Sequence, residues 1–396
     1  MKFAEVIKMM KVVRGFYSVA HAVKLCKPNV ICAYPITPQT EIVENLAEMY
    51  ANGELENCRY ITAESEFAAA SILVGASATG ARTFTATCSQ GLILMSEVLF
   101  NAAGMRLPIV IANPNRAISA PLSIWNDLQD SMALRDAGII QLYVENNQEA
   151  HDAIPQAYKI AEDQRVLLPF MVCMDGFKLT HAYEPIDLLD QSVVDNFLPP
   201  FKPKAYMTTK KPLAFGCYAP PHVYMEFRVA MQNAMDRAKD LMEKVFREWT
   251  EVSGRNWGGH LEVIYPDSKI FVIAMGSIVG LLRKVVEDLR REGINLGLVK
   301  LRTFRPFPVE ELRSYLGDAE KIIVLDRSIS LGYEGNLSIE LKSALYGFSA
   351  EIISMILGLG GRDLSKEFLE NLIRNAIAGK EASGFKGAKD FEEVIP

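Results

Sequence analysis

The sequence lacks the residue patterns that most simply reveal a metal-binding protein. Its 396 residues include six cysteines with no Cys-x-x-Cys pair among them, and its five histidines are scattered singly. A zinc or iron–sulfur site built from this chain alone is therefore not expected, and we predict no metal ligand. We expect the cysteines to be reduced thiols that pack as small hydrophobic side chains.

Three further absences exclude broad classes of protein. The formal net charge is −6, so no basic excess attracts nucleic acid, and no nucleic-acid-binding motif is present. No apolar run approaches the roughly 20 residues that span a membrane. Residues 1–15 carry lysines but no continuous apolar core of the kind found in signal peptides. We expect a cytoplasmic protein that binds neither nucleic acid nor membrane.

What the chain does contain is a repeated alternation of strand and helix. Hydrophobic residues make up 49% and charged residues 23%, which is usual for a soluble globular protein, and the length favours two domains. Repeated strand–helix units in the first half predict an α/β fold, in which a parallel sheet carries helices on both faces. The strands are predicted near residues 30–34, 60–62, 83–87, 107–112, 140–144 and 168–174.

The helix predicted over residues 67–79 is unusual because nearly every residue in it is small or apolar. Such a composition predicts a helix that is buried on all sides. Two carboxylates, Glu64 and Glu66, stand at its start. A buried carboxylate is costly unless it has a partner, which makes Glu66 a candidate functional residue. The alternative is that Glu66 only favours the helix dipole as a first-turn carboxylate.

Four segments with polar or special residues directly follow predicted strands. They are residues 35–40, Glu66, residues 89–91 and residues 113–116. The carboxyl ends of parallel strands meet at one edge of a sheet, where ligands bind in folds of this class. The shared position of these segments favours a functional role for Glu66 over the helix-dipole interpretation.

The second half of the chain predicts a different organisation. Residues 183–221 contain prolines, lysines and isolated aromatics, which predict a long connection with little regular structure. Residues 223–251 predict one long amphipathic helix, and a second, smaller α/β domain follows. We predict two domains, over residues 1–262 and 263–396. The second domain has predicted strands near 270–275, 296–301, 321–325 and 351–355, and predicted helices near 278–292, 309–315, 336–346 and 366–378.

Two glycine-rich stretches in the second domain need an interpretation. They read Leu331-Gly-Tyr-Glu-Gly335 and Gly358-Leu-Gly-Gly-Arg362-Asp363. Neither matches a P-loop or the Gly-x-Gly-x-x-Gly turn of a dinucleotide-binding protein. We interpret both as turns, and a free-standing dinucleotide dehydrogenase is not expected.

An ordered set of short motifs gives the chain a family resemblance. These motifs are spread along essentially the whole chain, because they continue through Arg305-Pro-Phe-Pro308 to the second glycine-rich stretch. Each motif alone is weak, but the ordered set closely resembles the alpha subunits of multi-subunit pyruvate:ferredoxin oxidoreductases, in the 2-oxoacid:ferredoxin oxidoreductase family. The motifs are Tyr34-Pro-Ile-Thr-Pro38, Glu64-Ser-Glu66, Gly80-Ala-Arg-Thr-Phe-Thr-Ala-Thr87 with Ser89-Gln-Gly91, Asn115-Arg-Ala-Ile-Ser-Ala-Pro121, Ile124-Trp-Asn-Asp127 and Asp175-Gly-Phe177.

This resemblance implies a fold, an activity and a set of partners. The fold is a pyrimidine-binding-type domain for thiamine diphosphate, followed by a transketolase-C-like domain. The activity is oxidative cleavage of pyruvate with coenzyme A to acetyl-coenzyme A and CO2, with electrons passed to ferredoxin. The chain is expected to act only with partners: a beta chain that supplies the diphosphate and Mg²⁺ site, a delta chain that carries [4Fe–4S] clusters, and a gamma chain that meets coenzyme A.

The resemblance also assigns roles to residues of this sequence. Glu66 matches the glutamate that hydrogen-bonds the aminopyrimidine ring of the cofactor, and Glu64 is the lesser candidate. Thr37 matches a hydroxyl near the substrate, and Arg116 matches the residue that takes the substrate carboxylate. Pro35 is expected to lie against the cofactor ring. The expected catalytic set is Glu66, Thr37 and Arg116, and the expected cofactor-binding set is Pro35, Glu66, Ser89, Gln90 and Gly91.

Two positions depart from the family pattern. Many relatives have His where this chain has Phe67, and Ala or Ser where it has Cys88. Because both positions are near the expected pocket, they leave open which 2-oxoacid is used, with 2-oxoisovalerate or another 2-oxoacid as the alternative. A non-catalytic scaffold subunit is a further alternative, although it would not need Thr37, Glu66 and Arg116 together.

Overall fold

The computed structural model describes residues 9–210 and 212–389. Residues 1–8, which belong to the N-terminal stretch considered above, lie outside the described part. The outer ends of the two predicted domains, at residues 1 and 396, also lie outside it. Within it the chain forms a seven-stranded sheet, a six-stranded sheet and a two-stranded ribbon. None of the described helices is long and apolar enough to cross a bilayer.

Strands and helices alternate along the described chain. In the first half the elements are β1 (Met9–Arg14), α1 (Gly15–Leu25), β2 (Val30–Ala33), α2 (Thr40–Ala51), β3 (Arg59–Thr62), α3 (Glu66–Ala78), β4 (Thr83–Ala86), α4 (Ser89–Leu94), α5 (Ser96–Gly104), β5 (Ile109–Asn115), α6 (Gln129–Ala133), β6 (Ile140–Tyr143), α7 (Asn147–Ala161), β7 (Phe170–Asp175), β8 (Tyr183–Leu188) and α8 (Gln191–Phe197). In the second half they are α9 (Pro221–Ser253), β9 (Leu261–Ile264), β10 (Ile270–Ala274), α10 (Ile278–Arg291), β11 (Leu296–Leu301), β12 (Thr303–Arg305), α11 (Val309–Leu316), β13 (Lys321–Asp326), α12 (Asn336–Ala344), β14 (Glu351–Ile356), a 3-10 turn (Leu359–Gly361), α13 (Lys366–Ile377) and β15 (Gly384–Phe385).

The first sheet confirms the predicted parallel arrangement. Its strand order is β12-β6-β7-β5-β4-β2-β3, and every pair is parallel except the edge pair of β12 with β6. Helices α1, α2 and α7 pack on one face, and α3 and α5 pack on the other. The central strands are buried throughout, as expected for apolar runs between two helical layers. Their carboxyl ends therefore meet at one edge of the sheet.

The second sheet confirms the predicted smaller α/β domain. Its strand order is β15-β14-β13-β10-β11-β9, with β9 antiparallel to β11. Helices α10 and α13 pack on one face, while α11 and α12 pack on the other. The boundary predicted between residues 262 and 263 stays a proposal. We propose to move it to just before Leu261, because β9 belongs to the second sheet.

Two predictions about connections are wrong in part, although the described residues between 198 and 220 do lack a helix or strand, as expected. Residues 183–221 contain β8 and α8, and β8 pairs antiparallel with β1, where Met9 lies opposite Leu188. The sequence around β8 gave no strand signal because the strand depends on a partner far away along the chain. Asn113, predicted to follow the strand that ends near residue 112, lies inside β5, which pairs with β7 as far as Asn115.

Helix α3 is only partly buried, so the prediction that it is buried on all sides is wrong for this single chain. Phe67, Ser71 and Gly75 are exposed, and their spacing of four residues places them on one face of the helix. The opposite face packs against β2, β4 and α5. The exposed face has no partner among the described residues.

One buried hydrophobic cluster contains residues from both domains. Ile111 of the first sheet belongs to the same buried cluster as Ile273 of the second. Strand β12, from the second half of the chain, adds an edge to the first sheet, where Thr303 lies opposite Leu142. The domains are therefore joined by apolar packing and by backbone pairing.

Asp175, at the end of β7, contacts the carboxyl edge of the second sheet. Strand β10 lies between β11 and β13, and such a switch point usually forms a ligand-binding crevice at the carboxyl ends of the strands. Here the buried Asp175 carboxylate accepts hydrogen bonds from the Ser277 backbone N–H at 2.7 Å and from Arg327 Nη1 at 2.5 Å. The Asp175 side chain of the first domain thus accepts a hydrogen bond from the backbone at the start of α10.

A buried ion cluster forms a second polar link between the domains. The carboxylate of Glu149, on α7, accepts hydrogen bonds from Lys300 Nζ at 2.7 Å and from Arg302 Nε at 2.6 Å, and all three side chains are buried. Burial alone raises the pKa of Glu149, but Lys300 and Arg302 outweigh it and hold that pKa below its ordinary value. Glu149 is therefore a charged link between α7 and the end of β11.

We expect Glu149→Ala to lower the free energy of unfolding by about 3–5 kcal/mol, because it leaves the buried Arg302 without a carboxylate and leaves Lys300 with Glu145 as its remaining partner. The control is Asp318→Ala, which removes an exposed carboxylate 4.0 Å from Lys269 and should leave the free energy nearly unchanged. Denaturant unfolding of both variants gives the two values. Equal, small losses in the two variants would contradict a stabilising role for the cluster.

Candidate functional site

The carboxyl edge of the first sheet brings together predicted site residues from four strands. Pro35 follows β2, Glu66 opens α3 after β3, Ser89 opens α4 after β4, and Arg116 follows β5. These strands are neighbours, in the order β5-β4-β2-β3. The residues therefore lie along one edge, as the parallel arrangement predicted, while their individual roles stay predictions.

Glu66 is buried, and its carboxylate makes no hydrogen bond within the described part of the chain. Only 7% of the residue is exposed, and Gly91 leaves room for its carboxylate. A Cβ added at Gly91 would lie 2.5 Å from Glu66 Oε1 and 2.7 Å from Thr87 Oγ1. The Thr87 hydroxyl is itself buried without a partner among the described residues. Because such groups are costly when unpaired, the arrangement indicates a place for a hydrogen-bonding ligand.

Arg116 is buried and held by uncharged acceptors. Its Nη1 donates to the Thr37 carbonyl at 2.8 Å, and its Nε donates to the Ser123 carbonyl at 2.9 Å. Within the described residues its guanidinium forms no ion pair with a carboxylate. Its positive charge is therefore available to an anionic ligand, and its planar fork of N–H groups suits a carboxylate.

The segment after β2 contacts Arg116 through its backbone and not through a hydroxyl. The Thr37 carbonyl accepts the hydrogen bond from Arg116 and lies 3.3 Å from Cys88 Sγ. Burial raises the pKa of the Cys88 thiol, which keeps it protonated and able to donate. Thr37 and Pro35 are both exposed at the mouth of the site.

The side chains of Ser89 and Gln90 form hydrogen bonds with other groups of this chain. Ser89 Oγ lies 2.6 Å from the Ala117 carbonyl oxygen and 2.6 Å from Gln90 Oε1. Gln90 Nε2 donates to the Ser119 carbonyl at 3.4 Å. These contacts tie the start of α4 to the loop that follows Arg116. A cofactor-binding role for Ser89 and Gln90 stays a prediction.

Asp130 organises the site, and the sequence analysis missed it. One oxygen of its fully buried carboxylate accepts hydrogen bonds from the backbone N–H groups of Ser89, at 2.9 Å, and Arg116, at 3.1 Å. The other accepts from Asn115 Nδ2 and from the Ser131 N–H, both at 2.8 Å. Burial raises the pKa of Asp130 to about 6. This one side chain therefore aligns the ends of β4 and β5.

The signal for Asp130 in the sequence was weak. It stands three residues after the Ile124-Trp-Asn-Asp127 motif, in a run of polar residues that is also typical of an exposed loop. Glu64, the lesser candidate for the carboxylate role, is exposed. Sequence spacing alone does not separate Glu64 from Glu66, because burial decides which carboxylate is costly to leave unpaired.

Two family models match the chain. The model described as pyruvate flavodoxin/ferredoxin oxidoreductase, thiamine diphosphate-binding, matches residues 21–247. The model described as pyruvate:ferredoxin oxidoreductase core domain II matches residues 268–368. The two matches follow the order of the two domains, and the first contains all of the predicted site residues.

Similar proteins share most of their length with this chain. A protein named pyruvate synthase subunit PorA from Methanosarcina barkeri is 50% identical over 370 residues, which are 92% of each chain. One of the same name from Methanothermobacter thermautotrophicus is 46% identical over 385 residues, 97% of this chain and 100% of its own. Ketoisovalerate oxidoreductase subunit VorA from Pyrococcus horikoshii is 45% identical over 378 residues, 93% of this chain and 95% of its own.

A solved structure has the same fold at low sequence identity. It is a 2-oxoglutarate:ferredoxin oxidoreductase from Magnetococcus marinus, and its chain superposes with a TM-score of 0.72 at 20% identity. The match covers 93% of this chain and 66% of that longer chain. The similarity supports the arrangement of the two α/β domains.

We expect Asp130→Asn to lower the free energy of unfolding by roughly 2–4 kcal/mol, because each buried donor left without an acceptor costs about 1–3 kcal/mol. The NH2 part of the new amide faces two N–H donors and accepts from neither, while its oxygen still accepts from the other two. The control is Asp136→Asn, whose side chain is 75% exposed and whose stability should be close to that of the wild type. Denaturant unfolding measures both variants, and equal stability of the two would contradict the organising role.

Proposed function

Since this chain belongs to the pyruvate flavodoxin/ferredoxin oxidoreductase family, as an alpha subunit, we propose that it forms half of a thiamine diphosphate site. The assembled enzyme converts pyruvate and coenzyme A to acetyl-coenzyme A and CO2, and it passes two electrons through iron–sulfur clusters to ferredoxin. The observation that carries the proposal is the buried Glu66 carboxylate without a partner in the described chain, at the edge where Arg116 stands.

The residues at this edge fit the aminopyrimidine ring of thiamine diphosphate. The ring offers hydrogen-bonding nitrogens, and both Glu66 and the Thr87 hydroxyl have unused hydrogen-bonding capacity among the described residues. Gly91 leaves free the space that a Cβ would fill beside them. Pro35, exposed at the mouth, offers an apolar surface to the ring.

We propose that Glu66 shares a proton with the cofactor ring. When bound, thiamine diphosphate supplies a thiazolium carbon that becomes a nucleophile once it loses its proton. Glu66 would hold a proton toward the pyrimidine ring nitrogen of the bound cofactor, and so would favour the ring form that this chemistry needs. A carboxylate shielded from water suits this task, because water would compete for the shared proton.

Arg116 is proposed to bind the carboxylate of the 2-oxoacid. The carbonyls of Thr37 and Ser123 fix its guanidinium before the substrate arrives, which lowers the entropic cost of binding. The Thr37 hydroxyl, exposed at the same mouth, is the second group proposed to contact the substrate.

A second candidate substrate is a branched 2-oxoacid such as 2-oxoisovalerate. The observation that favours it is the 45–46% identity to ketoisovalerate oxidoreductase subunits, which nearly equals the 46–50% identity to pyruvate synthase subunits. Phe67 and Cys88 are the positions of this chain expected to matter for the choice. Reduction of ferredoxin by the purified assembly with each 2-oxoacid in turn decides between them.

Partner chains complete the proposed site. The exposed face of α3, with Phe67, Ser71 and Gly75, starts beside Glu66, and its small residues and one exposed aromatic ring leave room for a beta chain to pack closely. We propose that the beta chain supplies the diphosphate and Mg²⁺ site. The [4Fe–4S] clusters and the main contacts to coenzyme A and ferredoxin are proposed for delta and gamma chains, with the whole assembly in the cytoplasm.

A non-catalytic scaffold subunit is the alternative in a different class. A scaffold does not need a buried carboxylate without a partner, since such a group lowers stability and brings no structural gain. The position of Glu66 therefore favours the catalytic proposal over the scaffold.

We expect Glu66→Gln to slow the exchange of the cofactor's thiazolium C2 proton with deuterium by about 10²–10⁴-fold, the usual contribution of a positioned acid–base group. Gln preserves the size of the side chain but does not pass the shared proton. The measurement uses the assembled complex, followed by NMR of the quenched cofactor. Glu64→Gln, at the exposed neighbour, is the control and should exchange at the wild-type rate. Wild-type exchange in Glu66→Gln would reduce Glu66 to a helix-start carboxylate.

We expect Arg116→Lys to lower kcat/KM for the 2-oxoacid by about 10–100-fold, because loss of a charge-assisted hydrogen bond costs roughly 1.5–3 kcal/mol. Arg116→Ala should lower it further. Arg59→Lys, at an exposed position where β3 begins, is the matched control at the opposite edge of the sheet. Steady-state ferredoxin reduction gives the values, and unchanged kcat/KM in both Arg116 variants would rule out the proposed clamp.

A further inference from the structure

The loop between β5 and α6, residues 117–128, holds Arg116 in place. The Ser123 carbonyl in this loop is one of the two carbonyl acceptors of the Arg116 guanidinium. The Ala117 N–H donates to the Trp125 carbonyl at 2.9 Å, which closes the loop on itself. Because Ser123 moves with the loop, the path of the loop sets the position of the guanidinium.

The second domain in turn holds this loop. The Leu128 N–H donates to the Arg327 carbonyl at 2.9 Å. The Gly360 N–H donates to Asp127 Oδ2 at 3.0 Å, and Asp127 is only 5% exposed. The loop is therefore fixed at its far end by two segments that follow β13 and β14 of the second sheet.

The glycine-rich turn after β14 contacts the loop so closely that a side chain does not fit. Gly361 has a φ of +73°, and a Cβ added there would lie 2.4 Å from the Cβ of Trp125. Real Cβ contacts are longer, so a side chain at this position displaces Trp125 or the turn. The stretch is a turn, as interpreted from the sequence, and its glycines also allow the second domain to touch the loop.

We propose that the turn at residues 358–361 of the second domain positions Arg116 through the 117–128 loop, and so sets the affinity of the enzyme for the carboxylate of its 2-oxoacid. Gly361 and Asp127 are positioning residues, because they act through the loop. This inference rests on the proposed function, in which Arg116 binds that carboxylate.

The test uses the assembled enzyme carrying Gly361→Ala, with Gly379→Ala as the matched control. Gly379 also lies in the second domain and has a φ of +69°, but a Cβ added there meets no atom within 4 Å. The two substitutions therefore impose similar backbone strain, and Gly361→Ala alone presses on Trp125.

We expect Gly361→Ala to raise KM for pyruvate by about tenfold while kcat changes by less than about threefold, as for loss of a substrate-binding contact. The C2 proton exchange of the cofactor should stay at the wild-type rate, because Glu66 is untouched. Asp127→Ala should raise KM in the same way. Asp127→Asn, which keeps one acceptor oxygen, should restore part of the affinity. Gly379→Ala should leave KM unchanged.

An unchanged KM in Gly361→Ala and Asp127→Ala, at normal C2 exchange, overturns the positioning role and leaves the proposed function intact. Equal rises in KM for Gly361→Ala and Gly379→Ala also overturn it, because backbone strain alone then accounts for the effect. If Gly361→Ala does not assemble, Asp127→Ala decides on the same readouts. If Arg116→Lys itself leaves kcat/KM unchanged, the Arg116 clamp and this positioning role fall together, while the cofactor site proposed around Glu66 is judged separately by C2 exchange.

Discussion

The buried carboxylate of Asp175 is the contact on which the arrangement of the two domains depends. It stands at the end of β7 and accepts hydrogen bonds from Arg327, from Asn126 and from the Ser277 N–H. A buried charge is tolerated only when donors surround it, so the second domain does not move away from β7 without leaving that charge uncompensated. Asn126 belongs to the loop that follows Arg116, and the contact that orients the domains therefore also supports the candidate site.

Other buried carboxylates show what a structural acid looks like in this protein. Asp130 and Asp326 are each surrounded by backbone N–H and side-chain donors, and burial raises the pKa of each to about 6. Glu149 is paired with two cations. Glu66 is 7% exposed, yet its carboxylate finds no donor within the described chain, and it lies beside the Thr87 hydroxyl, which is fully buried without a partner among the described residues. This contrast separates an acid that serves the fold from one that is available to a ligand, because the fold gains nothing from an unpaired buried charge.

Three large apolar side chains near that edge are exposed in this chain. Leu122 is 75% exposed and Trp125 is 52% exposed in the loop after Arg116, and Phe67 is 41% exposed beside Glu66. Contiguous exposed apolar groups mark surfaces that another molecule covers, since their removal from water favours association. The polar groups of the site and the exposed apolar groups near it both support the proposal that a partner chain covers this edge.

The sequence by itself determined the α/β class, the order of the central parallel strands and their helices in both domains, and the placement of Glu66 and Arg116 at strand ends. It did so because hydrophobic periodicity is local and because parallel strands end at one edge. The tertiary structure alone decided which polar groups meet. Asp130 has its role because two backbone N–H groups from separate segments lie within reach of one oxygen. β1 and β8 form strands because each supplies the other's hydrogen bonds, and one face of α3 is exposed because no described element packs on it. A local pattern carries no information about a partner distant along the chain, so these contacts made through space appear only once the chain is folded.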